Sequence, residues 1–246
     1  MHIKKLGAAI LLTTPLLFLA SCIQEVGNAA KNVGSTVTKP VHAIGSAGGG
    51  HVKGIDVSDN VGTVNWSQVK EDGYAFAFVK ATDGVSYPTG YFNSNWPAMK
   101  EAGILRGAYH YFEPNDDPKD QAEFFIKTVG KLDSNDLPPV LDFEKAGGLS
   151  PSQMTAAAKT WLETVERAMG VRPMIYCSQS FANEYIIDDS LSKYPLWIAE
   201  YGVSAPRPTN VWGNNWTIWQ YSQSGTVDGV PGGADHTALD VFNGSL

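Results

Sequence analysis

The chain has 246 residues, 43% hydrophobic and 17% charged, the balance of a folded protein with one large domain or two small ones. Its formal charge is −7, more negative still once Lys4 and Lys5 near the N-terminus are set aside, and it carries no basic run. That charge balance argues against nucleic acid as a partner, because phosphate-backbone binding needs a cationic face.

The N-terminus reads as an export signal. Lys4 and Lys5 form a positive start, and the apolar run from Leu6 to Ala20 is short for a membrane span. Leu19-Ala-Ser-Cys22 then resembles a bacterial lipoprotein cleavage box, in which Cys22 is lipidated and becomes the first residue. The alternative is a plain cleaved signal with a chance cysteine. A lipid on Cys22 would hold the chain on a membrane without spanning it. Ile23 supplies no inner-membrane retention Asp, which points to the outer membrane. Residues 22–52 are rich in Gly, Ala, Ser, Thr and Val, lack aromatics and end in three glycines, so they read as a flexible tether. The division expected is signal 1–21, lipidated tether 22–52 and a folded domain 53–246, monomeric. Cys177 is the only other cysteine, set in an apolar run, and is expected to be a buried small hydrophobe.

Within the domain, apolar runs alternate with helical patterns. Strands are predicted over 54–58, 75–82, 105–112, 138–144, 172–177, 195–201, 216–222 and 238–243, several apolar without interruption, as in sheets covered on both faces. Asp117-Pro118 opens a helix that Gly130 closes, and Ser150-Pro-Ser-Gln153 is a capping box for a second helix ending near Gly170. Shorter helices are expected from Asn65 to Asp72, over 96–101 and over 181–186. Residues 202–215 and 223–237 carry Pro, Gly, Asn and Ser with no helical stripe. Eight strands with about five helices suggest an α/β barrel whose last third lacks helical crossovers; an open doubly wound sheet also fits the alternation.

The chemistry centres on Leu137-Pro-Pro-Val-Leu-Asp-Phe-Glu144. Asp142 and Glu144, two apart on a strand, share a face at about 6.6 Å between Cα atoms. Carboxylates ending an apolar strand cost free energy unless solvated, paired or used, and paired carboxylates are the equipment of glycosidic cleavage. A helix cap plus a surface acid is the plainer reading. Asp56 on the first strand and Asp240 on the last could join them at one barrel mouth, or Asp56 could cap a turn with Ser58 and Asp59. No metal or other cofactor is expected, since the histidines at 2, 42, 51, 110 and 236 show no ligand spacing.

Seven motifs in collinear order extend this. Gly54-Ile-Asp-Val-Ser58, Phe78-Val-Lys-Ala-Thr82, Gly107-Ala-Tyr-His-Tyr111, Pro139-Val-Leu-Asp-Phe-Glu144, Leu196-Trp-Ile-Ala-Glu-Tyr201, Ile218-Trp-Gln-Tyr-Ser222 and Val241-Phe-Asn-Gly244 together resemble the family 25 glycoside hydrolases, the Chalaropsis-type lysozymes. The resemblance implies an irregular, TIM-like (β/α)-barrel and cleavage of the β-1,4 bond between N-acetylmuramic acid and N-acetylglucosamine, with peptidoglycan strands as partner. It matches Glu144 to the general acid, Asp142 to its partner carboxylate and Asp56 to the acid of the first strand. Two acids side by side on one strand are awkward for direct nucleophilic attack. That favours attack by the substrate's 2-acetamido oxygen with Asp142 orienting its N–H, and net retention. The family's C-terminal Val-Asp-Leu-Asn is not matched: aligned on Asn243-Gly244, its Asp falls on Ala238 and its Asn on Asp240. Asp240 or Asp235 would have to replace it, which keeps a non-catalytic wall-binding protein as the alternative; a chitin-type hydrolase is a third.

Lys80, Tyr109, Tyr111, Trp197, Tyr201, Gln220 and Tyr221 are expected to bind substrate, aromatics by stacking and hydroxyls by hydrogen bonding. About half of the strand-end aromatics, Trp219 among them, should line the groove. Lys80 is a candidate partner for the carboxylates. His110 is read as a hydrogen-bonded wall residue rather than a proton carrier.

Overall fold

The computed structural model describes residues 51–231 and 237–244. The expectations for the signal, Cys22, the tether as far as residue 50 and Asp235 fall outside them; Val52, expected at the tether's end, opens the first strand. In chain order the elements are β1 (Val52–Val57), α1 (Trp66–Glu71), β2 (Phe76–Asp83), β3 (Tyr87–Pro88), α2 (Phe92–Glu101), β4 (Leu105–Tyr111), α3 (Pro118–Val129), β5 (Val140–Asp142), α4 (Pro151–Met169), β6 (Met174–Ser178), α5 (Gln179–Tyr185), β7 (Leu196–Ala199), β8 (Ile218–Gly225) and β9 (Thr237–Phe242), with two short 3-10 turns.

Eight strands close a barrel in the order β1-β9-β8-β7-β6-β5-β4-β2, and the β1–β2 pairing seals it; β3 is a two-residue addition beside β2. The ladder from β1 through β2 to β8 is parallel, whereas β9 runs antiparallel to both β8 and β1. Helices accompany the parallel strands as far as β7. Then a loop over 200–217, pinned by a Thr209–Gly213 bridge, leads to β8.

Local chemistry explains the helix ends. Asp117 accepts from the amides of Lys119 and Asp120 at the start of α3. Ser150 and Gln153 form the reciprocal capping box of α4, which ends on Gly170 in the left-handed region at φ 70°. α2 begins four residues earlier than the sequence suggests and runs through Pro97. Buried Phe92 stacks on Trp96 one turn on, with ring centroids 5.4 Å apart, and so holds the turn ahead of the proline.

Two apolar layers result. Outward strand residues such as Ile55, Val79, Leu141 and Ile175 pack with the helices, while Phe76, Phe78, Tyr109, Val140, Met174, Trp197 and Ile218 fill the barrel interior. The interior is crowded on the β2 side. A Cβ on Gly54 would lie 2.2 Å from the Phe76 ring, and one on Gly107 would lie 2.1 Å from the Phe78 ring. The two glycines flank β2 in register with those rings, so the phenylalanines occupy the space their side chains would need.

Candidate active site

Alternation along the strands carries Asp56 (β1), Lys80 (β2), Tyr109 and Tyr111 (β4), Asp142 (β5), Tyr176 (β6), Trp197 (β7) and Gln220 (β8) to one end of the barrel. There they line a cavity of about 300 Å³ together with Ser58, Glu144, Tyr201, Gln223 and Ala238. Of the six strand-end aromatics, Tyr109, Tyr111, Trp197 and Tyr201 face it.

Glu144 is not on a strand. β5 stops at Asp142, although the Phe143 amide still bonds the Tyr176 carbonyl at 2.8 Å, so alternation continues: Phe143 turns into the outer core and Glu144 to the cavity rim. Asp142 is 7% exposed, and its Oδ1 has no hydrogen-bond partner among the described residues. Burial raises both carboxyls, Asp142 well above the usual range with the Glu144 charge adding to it. On Glu144, Lys145, a Tyr111 hydrogen bond and Lys80 act in the opposite sense. The reading of Asp142 as an ionised partner carboxylate of Glu144 therefore needs correcting for the free protein. Glu144 is exposed at the rim while Asp142 is enclosed, and the deeper group holds its proton more firmly.

Asp56 is held by Gln220, whose Nε2 donates to Asp56 Oδ2 at 2.6 Å. The Gln220 Oε1 in turn accepts from the Tyr176 hydroxyl at 2.9 Å and from the Tyr201 hydroxyl. Burial pushes Asp56 up to about 6, with the Gln220 and Asp240 hydrogen bonds pulling it down. Lys80 pairs with Asp83 at 2.7 Å rather than with the site carboxylates, and its ammonium lies 4.6 Å from the Tyr111 ring centroid. Trp197 is a floor residue, wedged against Phe78 and Tyr176 with its indole N–H on Asp240 at 2.9 Å.

Asp240 points inward but lies beneath the cavity. Because β9 is antiparallel, Ala238 sits level with Asp56 near the mouth, and Asp240 sits one pleat deeper opposite Gly54 and Gln220. Tyr221 does not belong to the site. It lies on the opposite face of β8 from Gln220, packed edge-to-face on Trp219, whose indole N–H binds the Glu200 carbonyl. Tyr176 was missed by the sequence reading, although period-two alternation from Met174 on β6 directs it inward.

His110 faces outward from the barrel and is fully buried, stacked on Trp161. Its Nδ1 meets the Thr82 hydroxyl at 2.7 Å and its Nε2 meets Gln121 Oε1 at 2.9 Å. Gln121 Nε2 donates to two carbonyls, so its Oε1 must accept and His110 carries the Nε2 proton as a neutral ring. Burial lowers its pKa to about 4. Cys177 is likewise fully buried, and burial raises its thiol.

A barrel with several carboxyls gathered at the C-terminal mouth of its parallel strands, ringed by tyrosines and a tryptophan, has the equipment of a carbohydrate-cleaving enzyme. Comparison with known proteins gives the family. Residues 55–230 match Glycosyl hydrolases family 25, and the chain belongs to that family and is a glycoside hydrolase. It is 38% identical over 200 residues to the uncharacterized protein YegX of Escherichia coli, covering 79% of this chain and 71% of that one. It is 36% identical over 236 residues to Lysozyme M1 of Streptomyces globisporus, covering 89% of this chain and 79% of that protein. The crystal structure of the bacterial lysozyme from Streptomyces coelicolor superposes with a TM-score of 0.73 at 37% identity, covering 81% of this chain and 94% of the other.

Proposed function

We propose that the protein is a muramidase that cuts the β-1,4 bond between N-acetylmuramic acid and N-acetylglucosamine in peptidoglycan. The observation that carries this reading is the convergence of Glu144, Asp142 and Asp56 on one tyrosine-lined cavity. The similarity to Lysozyme M1 and to the Streptomyces coelicolor lysozyme supports the substrate class.

Glu144 at the rim is the general acid, placed where a glycosidic oxygen of a strand lying across the mouth can reach it. The unpartnered, enclosed Oδ1 of Asp142 suits a substrate amide N–H. An N–H donor on Asp142 favours its charged form, which leaves the proton shared within the pair on Glu144, the group that must give it up. So oriented, the 2-acetamido carbonyl oxygen attacks C1 as Glu144 protonates the leaving oxygen. The C1–O bond breaks, an oxazolinium ring forms, and Glu144, now a carboxylate, accepts a proton from the water that opens the ring at C1. Both displacements invert C1, so the product keeps the β configuration. NMR of the freshly released reducing end checks this: a β anomer appearing first is expected, and an α anomer first would refute acetamido participation.

Residues 1–21 are assigned as an export signal and Cys22 as the lipid anchor, with 22–52 the tether that lets the barrel reach the wall. Mass spectrometry of the exported protein tests the assignment; a free Cys22 α-amine and thiol on the mature protein would refute the anchor. The binding-only alternative rested on the displaced C-terminal acid, and three carboxyls at the cavity without it favour hydrolysis.

A further inference from the structure

We infer that Asp240 works as a neutral carboxylic acid, donating a hydrogen bond through Oδ2 to Asp56 and so fixing the carboxylate that faces the cavity. It is a positioning residue, acting on substrate only through Asp56.

Asp240 is fully buried on β9, between Gly54 of β1 and Gln220 of β8. Its Oδ1 accepts the Trp197 indole N–H at 2.9 Å, whereas its Oδ2 has no ordinary donor among the described residues. The Asp240 carboxyl is hydrogen-bonded to that of Asp56, a bond that falls to Oδ2 because Trp197 occupies Oδ1, and a bond between two carboxyl groups needs one of them protonated. Each carboxyl takes one neutral N–H, Asp56 from Gln220 and Asp240 from Trp197, so enclosure decides: Asp240 is fully buried whereas Asp56 opens onto the cavity, and the charge belongs on Asp56 and the proton on Asp240. Burial and the Asp56 charge both raise Asp240, and its hydrogen bond lowers Asp56, as a donor's should.

The surrounding groups give no reason for a second charge. Tyr109 of β4, Asp142 of β5 and Tyr176 of β6 face the pair across the barrel, with Glu144 and Tyr201 above. Trp197 and Gln220 do not titrate, and Tyr221 lies behind β8. Lys80 is the cation in the cavity lining, and its ammonium is committed to Asp83. Ala238, at the level where a side-chain acid could have met Asp56 directly, supplies none. The donor therefore comes from one pleat below.

The inference rests on the muramidase reading only for what Asp56 does afterwards, so its test is spectroscopic. Infrared difference spectra of the whole protein at neutral pH, wild type minus Asp240→Asn, are expected to show one protonated-carboxyl band lost. Absence of that band overturns the proposal. Carboxyl 13C NMR of aspartate-labelled protein, with the Asp56 signal assigned through Asp56→Asn, then follows Asp56 titration. Asp240→Leu removes the donor and is expected to move the Asp56 midpoint up by about one pH unit, whereas Asp240→Asn, whose amide still donates, leaves it near the wild-type position. If Asp240→Asn moves it as far as Asp240→Leu, or if neither moves it, Asp240 does not act as a donor. Should Asp240→Leu fail to fold, the infrared band and the Asp240→Asn midpoint decide alone.

Discussion

Replacing Lys145 by Met is expected to extend activity to higher pH. Lys145 follows the proposed acid directly, its ammonium lies 4.7 Å from the Tyr111 ring centroid, and its charge acts on the Glu144 carboxyl. At a separation of roughly 5 Å, the scale of neighbouring side chains at one rim, a unit pair is worth about 0.8 kcal/mol in water. The lysine side chain is 53% exposed, so the watery limit applies rather than the interior one. The interaction favours ionised Glu144 and holds its pKa down. Removing it raises that pKa by about half a unit, at 1.36 kcal/mol per unit. A general acid works while protonated, so the alkaline limb of kcat/KM should move up by the same half unit. Loss of the Lys145–Glu113 pair at 3.1 Å frees a second negative charge and acts in the same direction. The assay is wall turbidity against pH at low salt, repeated at high salt, where screening should bring wild type towards the variant. An alkaline limb that stays put or moves down at low salt would refute the assignment of Glu144 as acid.

Two further outcomes follow from the same geometry. Gly107→Ala drives a methyl into the Phe78 ring at 2.1 Å, so a loss of about 1–3 kcal/mol is expected; calorimetric melting checks it, and an unchanged Tm would refute the close packing of Phe78 against β4. His110 has an ordinary pKa of 6.5 and a folded one of about 4, so the unfolded chain binds more protons between those values. Stability should therefore fall as pH drops from about 6.5 towards 4, by on the order of 2–3 kcal/mol, and His110→Gln should flatten that slope in denaturant titrations; an equal slope in both proteins would put the acid sensitivity elsewhere.

Much of the barrel was legible in the sequence because its strands are covered on both faces and its helices carry strong end signals, as at Ser150–Gln153 and Asp117-Pro118. Period-two alternation put Asp142 and Glu144 on one face, and both line the cavity. What it could not give was strand direction. Asp240 was expected to join Asp56 at the mouth because first and last strands are neighbours in a closed barrel, but β9 runs antiparallel to β1 and carries it below the floor. Tyr221 was misplaced for a different reason. One residue from Gln220, it takes the opposite face of the strand, and only the closed barrel shows that the Gln220 face is the inner one. Proton placement was the third loss, since the enclosure of Asp142 against the openness of Glu144 depends on loops and neighbours that no local pattern encodes.

The most direct test is clearance of purified cell wall by Glu144→Gln, with wall binding and melting temperature measured alongside. The substituted amide keeps the size and hydrogen bonding of the acid but has no proton to give, so clearance should fall by about 10²–10⁴-fold while binding and melting stay close to wild type. Clearance at the wild-type rate would contradict the assignment of Glu144 as the acid at the centre of the proposed reaction.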